Sequence, residues 1–562
     1  MKVDYIIVGA GSAGCVLANR LSADPSVSVL LLEAGGPDKK REIHIPGAYS
    51  KLNRTAVDWG FWTEPQAAIG GRRLYQPRGK TLGGCSSTNA MAYVRGNRED
   101  YNDWARLGNA GWSYEEVLPY FIRSEHNEQF DQLDTRYHGQ GGPLNVTYAT
   151  RFRTPLANAF VEACKQTGIP ENHDMNGAEQ EGAGYFQFTI KDGRRHSTAS
   201  AFLKPVLHRT NLTIVTHAHT RQVLLENDRA VGVEFLTGKN TTEKAYANRE
   251  VILSAGSFQS PQLLMLSGIG PADSLRRHSI AVKRELPGVG QNLQDHLFTG
   301  VNSLCKQLVG TNHYLKPWEQ TKALMQYFLY RRGPLTISPL EANAFLRTDD
   351  SPGQARPDRV DLQFQFAPIH NGHDYSVDMY DLNTYPRTDG YIILPTLLRP
   401  KSVGNVDLRS ANPLDAPVIQ PNFLTVEEDR RLLIKGTRQA LDVMQAAAFQ
   451  PYCERIQTPP DRSSDEAIWQ HIARQVETVY HPVGTCKMGS DEMAVVDAEL
   501  RVHGIVGLRV ADASIMPVIV SGNTNAAVIM IGEKAADLVQ GRRVASKATS
   551  ESGFSGYDPL PA

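Results

Sequence analysis

The segment spanning residues 4–14, D-Y-I-I-V-G-A-G-S-A-G, constrains this chain more than any other. A strand-forming stretch runs into glycines at 9, 11 and 14, and small helix-compatible residues begin at Ser12. The pattern reads as strand, glycine-rich turn and helix. Gly9 allows the tight turn, Gly11 lets backbone N–H groups approach a pyrophosphate, and Gly14 lets the helix pack closely on the strand. A second strand-like run, L-L-L-E-A-G at residues 30–35, ends in Glu33. An acid about twenty residues past the glycines accepts hydrogen bonds from a ribose diol. A glycine triplet alone would mark only a turn. Strand, helix and acid in these places mark a dinucleotide site in an α/β fold.

Bulk properties narrow the class. A chain of 562 residues is long for one core, so two domains are expected. With 59 basic against 60 acidic residues, a dedicated nucleic-acid surface is not expected. There is no apolar run long enough to span a bilayer, and the N-terminus passes straight into the first strand without the pattern of a signal peptide. Six cysteines lie far apart with no C-x-x-C pair, as expected of buried thiols in the cytoplasm, and no metal site is expected.

Residues 77–96 form a long loop dense in glycine and small hydroxyls. Residues 211–215 and 230–235 read as strands, and 251–270 as strand, small-residue turn, short helix and glycine stop. The logic recurs near the end: 508–517 is a strand and turn, and S-G-N-T-N at 521–525 precedes a helix through Val539. The dinucleotide domain is therefore discontinuous, at 1–155, 196–294 and 480–545. A substrate domain of antiparallel sheet plus helices takes 156–195 and 295–479, making the chain α+β overall. Residues 360–366 and 391–394 are its clearest strands, and a loosely ordered tail starts at Ser546. Arg194, Arg195 and His196 fall in a loop near the domain join.

Four separated segments match one family in one order. The nucleotide turn, R-G-K-T-L-G-G-C-S-S-T-N, G-S-F-Q-S-P-Q-L-L-M-L-S-G-I-G, and H-P-V-G-T-C-K-M-G leading to D-A-S-I-M-P and G-N-T-N-A resemble the glucose–methanol–choline family of flavin alcohol oxidoreductases. Within it the chain is most similar to the bacterial choline dehydrogenase and aliphatic alcohol dehydrogenase branch. The resemblance covers the whole chain except the tail, and it implies FAD where the glycines alone left NAD open. Carried over by position, Gly9, Gly11, Ser12, Ala13 and Gly14 take the pyrophosphate, and Glu33 with Ala34 the adenosine ribose. Trp59, Leu82, Gly83, Ser87, Asn89, Ala90, Met91 and Ala92 line the flavin, and Val223 lies near adenine. Tyr480, Asp512, Ala513, Asn523 and Thr524 close the site from the other end. Some members attach FAD covalently through a histidine of this loop; this chain has Thr88 there, and a hydroxyl cannot replace imidazole toward the flavin methyl. Non-covalent FAD is expected.

The resemblance also implies the catalytic pair, His481 and Asn523. Removing a hydride from a carbinol carbon requires the hydroxyl proton to leave, and histidine suits that task because its ordinary pKa lies near neutrality. The Asn523 amide would hydrogen-bond the substrate oxygen as it becomes alkoxide-like. Asn523, Thr524 and Asn525 are all competent N-caps. The helix they start presents a partial positive charge that favours negative charge on the flavin. Glu341 aligns with an acid that binds the quaternary ammonium in choline enzymes but also occurs in relatives using uncharged alcohols, so it is either a substrate contact or a structural acid. Phe364 and Phe366, on one face of a strand, would line an apolar substrate pocket or else be plain core. The expectation is oxidation of a primary alcohol to the aldehyde, with electrons passed to a quinone or similar acceptor at a peripheral contact with the inner membrane. Alternatives are an oxidase reducing O2, a choline dehydrogenase or, in another class, a flavoprotein resembling hydroxynitrile lyases or photodecarboxylases.

Overall fold

The first strand, Lys2–Val8, has Ile6 and Ile7 fully buried, as do Leu30 and Leu31 of the neighbouring Val29–Glu33. Strands so apolar belong at the centre of a parallel sheet covered on both faces, and that is where they lie. The computed structural model describes residues 1–542 except 239–240, 349–358, 373–376 and 458. The tail expected from Ser546 lies outside the described residues.

Five strands run parallel, in the order Leu212–Thr216, Val29–Glu33, Lys2–Val8, Thr241–Leu253 and Leu508–Val510. In chain order this is third, second, first, fourth, fifth, so the winding reverses between Lys2–Val8 and Thr241–Leu253. In an open α/β sheet that reversal leaves a crevice beyond the carboxyl ends of the strands, where ligands bind. His219–Glu226 and Arg229–Thr237 extend the sheet antiparallel along the first part of Thr241–Leu253. The sheet thus draws on the start, middle and end of the chain. Its ends are tied by helix packing: Gly532 of Asn525–Val539 would put a Cβ 3.0 Å from the Ala13 backbone, so the two helices are in close contact there. The fully buried Glu533 pairs with Arg20 at 2.6 Å and Arg123 at 2.8 Å, fastening the last helix to the first.

The second sheet is antiparallel, ordered Cys453–Gln457, Val301–Cys305, Gly390–Leu397, Leu362–Ala367, Ala342–Leu346 and Gly182–Tyr185. One face carries Phe364, Phe366, Tyr391 and Ile393 against Phe160 of helix Pro155–Gln166 and Leu441 and Met444 of helix Glu427–Gln445. Of the two readings of Phe364 and Phe366, substrate wall and core, the structure corrects the first and places both in the core. Side chains alternate along a strand, and these two point into the helix-covered core, Phe366 stacking on Phe160 at 4.9 Å between ring centres. Gln365 points the other way, toward the nucleotide sheet. Among the described residues no helix is long and apolar enough to cross a membrane.

Candidate active site

A cavity of about 360 Å³ lies at the crevice and runs from the glycine turn to the underside of the antiparallel sheet. Each parallel strand delivers residues at or just past its carboxyl end to the wall: Gly9 and Gly11, Glu33 and Ala34, Ala218 and Thr220, Ser254 and Ala255, Asp512 and Ala513. Two glycines show why no other residue serves. Gly9 sits at φ +99°, and a Cβ on Gly14 would fall 1.9 Å from the Gly9 carbonyl oxygen. Helix Ser12–Leu21 therefore starts hard against the strand end, with Gly11, Ser12 and Ala13 on the cavity. Its first-turn N–H groups are the kind that bind pyrophosphate. The Glu33 carboxylate accepts from Ala10 N at 2.9 Å and Gly35 N at 2.8 Å. Burial nonetheless pushes its pKa up to about 7.

Residues 77–96 cross over the turn. Gly84 comes so close to Gly11 that a Cβ there would lie 2.7 Å from the Gly11 Cα. Asn89, Ala90, Met91 and Ala92 reach the cavity with Trp59 and Thr88. Met91 adopts φ +62°, held by its N–H donating to Asn89 Oδ1 at 3.0 Å. Leu82, Gly83 and Ser87 do not reach the cavity. Leu82 N and Gly83 N donate to Gly36 O and Ala10 O, and Ser87 Oγ donates back to Leu82 O, so they lash the loop to the dinucleotide turn. Val223 is also behind the wall, fully buried, with its N–H on Ser267 Oγ at 2.8 Å. Arg195, unassigned from sequence, is a prop of the loop. Its buried guanidinium donates to Ser86 O, Asn89 Oδ1 and Ile43 O.

At the far end His481 and Asn523 meet. Leu297–Phe298 pairs antiparallel with Glu477–Thr478, Val479 N continues the ladder to His296 O, and pairing resumes at Gln294 with Val483. Between those points residues 480–482 stand opposite Asp295 alone, and such a bulge re-aims a side chain. Tyr480 takes φ +65°, a conformation costing about 1–3 kcal/mol for a residue of this kind. It is pinned by Arg78 on its carbonyl and by its N–H on Thr478 Oγ1. Asp295 caps the bulge by accepting from His481 N at 2.8 Å, Thr478 Oγ1 and Gln76 Nε2. Burial raises its pKa to about 6.

The ring of His481 is then oriented from behind. Its Nδ1 lies 3.0 Å from Nδ1 of His296, whose Nε2 lies 3.0 Å from the Leu398 carbonyl oxygen. A carbonyl only accepts, so His296 Nε2 carries the hydrogen. Burial holds the His296 pKa down at about 4, so its Nδ1 is a bare acceptor. His481 Nδ1 must therefore donate, which leaves the lone pair on Nε2, facing the cavity and Asn523 Nδ2 at 3.4 Å. Burial, with Arg78, holds His481 well below its ordinary pKa, so it is neutral, with its lone pair on Nε2.

Glu341 does not join this constellation. Its buried carboxyl accepts from Thr154 Oγ1 at 2.6 Å and Thr154 N at 3.1 Å, at the start of helix Pro155–Gln166. Burial pushes it up to about 7. The next residue back, Leu340, does line the cavity, with Phe298, Gln365 and Leu394. Gln365, His296, Asp295, Arg78 and Arg195 are the functional positions that sequence reading missed. The D-H of L-Q-D-H-L was the available signal for two of them.

The cavity fits a dinucleotide. It is bounded by glycines that clear backbone and by two helix N-termini, Ser12–Leu21 and Asn525–Val539. Three buried polar atoms on residues lining it, Ser254 Oγ, Thr220 Oγ1 and Asn523 Oδ1, have no partner among the described residues. Two models of the GMC oxidoreductase family match residues 3–298 and 400–532. An alcohol dehydrogenase (acceptor) of Pseudomonas putida is 44% identical over 547 residues, 95% of each chain. Mitochondrial choline dehydrogenase of Homo sapiens is 44% identical, covering 96% of this chain and 90% of its own. Among solved structures, a pyridoxine 4-oxidase from Mesorbium loti superposes with TM-score 0.83 at 32% identity over 95% of this chain and 98% of its own.

Proposed function

This chain belongs to the GMC oxidoreductase family, and from that premise we propose that it oxidises a primary alcohol to the aldehyde with non-covalently bound FAD. One observation carries the reading: the His296–His481 pair fixes a bare Nε2 on the cavity wall beside the Asn523 amide. Gly9, Gly11, Ser12, Ala13 and Glu33 would hold the adenosine diphosphate half, and Asn89 to Ala92 the flavin. When bound, FAD supplies the acceptor for the hydride leaving the carbinol carbon. The protein's own part is proton handling. A substrate hydroxyl placed between His481 and Asn523 donates to Nε2 and gives up its proton there. Asn523 Nδ2 hydrogen-bonds the oxygen as negative charge grows on it, and the N-terminus of Asn525–Val539 adds a favourable dipole. The proton stays on a buried imidazole beside Arg78, which disfavours the charge and speeds its release.

The substrate reading favours uncharged alcohols. Of the carboxyls lining the cavity, Glu33 is held by backbone N–H groups, Asp512 by Gly256 N, Ser260 Oγ and Ser514 N, and Asp58 by Tyr75 Oη and backbone N–H groups. Glu341 faces Thr154 instead. Choline is the second reading, supported by four tyrosines on the wall, Tyr49, Tyr380, Tyr385 and Tyr480, whose ring faces attract a quaternary ammonium. The acceptor is a quinone, reached at a membrane surface, in keeping with the acceptor-linked Pseudomonas relative. Anaerobic mixing with aliphatic alcohols and with choline tests the reading: aliphatic alcohols should bleach the flavin, and His481→Ala should slow this at least about a hundredfold while keeping FAD. A quinone or dye acceptor should then outpace air. Bleaching by no alcohol, or unimpaired bleaching by the variant, would overturn the mechanism, and peroxide formed at the dye rate would make the enzyme an oxidase.

A further inference from the structure

Helix Pro317–Tyr330 is inside out. Only Ala323 and Tyr327, one turn apart, are buried. At about 100° per residue, Trp318, Lys322, Met325 and Leu329 form one stripe directly opposite that seat. Trp318 is 66%, Met325 48% and Leu329 69% exposed. Phe328 widens this stripe on one side, and Leu324 and Tyr330, on the flanks nearer the seat, are exposed as well. A helix on the surface of a globular protein normally turns its apolar stripe inward; here the stripe turned away from the protein is the apolar one.

Charge on this helix is equally one-sided. Lys316 precedes it, Lys322 lies in the stripe, and Arg331 and Arg332 follow it. The acid on the helix, Glu319, is 3.0 Å from Lys322. This basic concentration stands in a chain whose formal net charge is −1. Bulky apolar side chains with Trp and Tyr at opposite ends and basic residues at both flanks are the pattern of a helix lying in a headgroup layer.

The mounting of the helix ties it to the active site. Tyr327 Oη donates to His44 O at 3.4 Å, and the turn after the helix, Pro334–Thr336, packs on Gly47. Both supports lead into the cavity wall: His44 and Gly47 into Tyr49 and Leu52, and Pro334–Thr336 into Pro339 and Leu340.

We propose that the outward face of Pro317–Tyr330 is the docking surface for an anionic lipid bilayer, seating the cavity mouth where a lipophilic acceptor or alcohol can enter without crossing water. The docking supplies the membrane contact that the quinone reading requires and rests on it for its purpose, though the binding itself does not depend on it.

The test is flotation of the FAD-loaded enzyme with vesicles of phosphatidylcholine alone and of phosphatidylcholine mixed with phosphatidylglycerol. The wild type should float with the mixed vesicles and, at the same lipid concentration, much less with the neutral ones. Trp318→Ser combined with Leu329→Asp should weaken binding at least about tenfold, and Lys316→Glu combined with Arg332→Glu should abolish the preference for anionic lipid. Both variants should keep wild-type turnover with a water-soluble dye, which shows that they are folded and loaded. Failure of the wild type to float, or flotation unchanged in the apolar variant, would overturn the proposal. So would a solution dimer of the wild type that the apolar variant dissolves, which would assign the face to a second copy of the chain. Flotation without dye turnover would sink the alcohol reading and leave the docking surface standing.

Discussion

Replacing His296 with alanine tests whether the base is tuned from behind. His296 lines no part of the cavity, yet its Nδ1 accepts the His481 Nδ1 hydrogen at 3.0 Å, the shorter of the two contacts that specify that tautomer, the other being the Asn523 amide at 3.4 Å from Nε2. His296→Ala leaves a buried N–H without an acceptor, which costs about 1–3 kcal/mol. The ring relieves the cost by turning or by moving its hydrogen to Nε2, and either removes the lone pair from the substrate hydroxyl. If that free energy appears in the barrier, flavin reduction slows roughly 5- to 150-fold. FAD content should not change, because the dinucleotide contacts lie at the other end of the cavity. His296→Gln offers an amide oxygen to the same hydrogen and should restore much of the rate. A pH profile separates this from general loosening. The reaction needs neutral His481, so activity is present above its folded pKa and lost as pH falls through it. Burial holds that pKa well below the ordinary value, and a neutral His296 accepting from Nδ1 favours the imidazolium, so the acidic limb should move to lower pH in His296→Ala. Anaerobic stopped-flow reduction across pH measures both effects. Wild-type rates in the alanine variant, or equal defects in the alanine and glutamine variants with an unmoved limb, would refute the tautomer argument.

Acid precipitation should release yellow FAD into the supernatant, because Thr88, on the cavity wall, cannot form the bond that a histidine makes; flavin retained in the pellet would contradict this. Glu341→Gln should leave turnover of uncharged alcohols unchanged and alter pH-dependent stability instead. Its folded pKa, pushed up to about 7 from 4.5, means that the native state holds a proton the unfolded chain has lost, so the wild type loses stability as pH rises across that window. Thermal melts from pH 5 to 8 should show the glutamine variant gaining on the wild type, and parallel curves would show that Glu341 is not buried as described.

What was legible in the sequence was local chemistry. Gly9, Gly14 and Glu33 announce themselves because their positions are dictated by turn sterics and strand length, and all three lie within one supersecondary unit. The final helix was legible for the same reason, through Thr524 at its N-cap and an apolar run through Val539. The faces of the substrate-domain strands were not. L-Q-F-Q-F alternates cleanly, but alternation says only that Phe364 and Phe366 share a side. Which side meets the cavity depends on helices Pro155–Gln166 and Glu427–Gln445, distant in sequence, that cover the phenylalanines. Apolar residues went to the drier face and glutamine to the ligand. Glu341 was undecided in the sequence for the same reason: its neighbour Leu340 reaches the wall while its own carboxyl turns back to Thr154, the structural one of its two readings.

The pairing of His296 with His481 shows why a catalytic histidine can be found from its motif while its tuning cannot. The two are brought together by a ladder between Leu297–Phe298 and Glu477–Thr478, a junction of the substrate sheet with the strand leading into the last nucleotide segment. An undisturbed ladder there would alternate its side chains regularly along its length. The excess residues at 480–482 break that alternation, and the left-handed backbone at Tyr480, with Asp295 bonded to His481 N, turns the ring toward His296 on one side and Asn523 on the other. Strain at a tyrosine, a buried acid raised to about 6 and a histidine lowered to about 4 are each unfavourable alone. They persist together because the same few contacts leave Nε2 of His481 the one ring nitrogen of the pair that is both bare and open to the cavity.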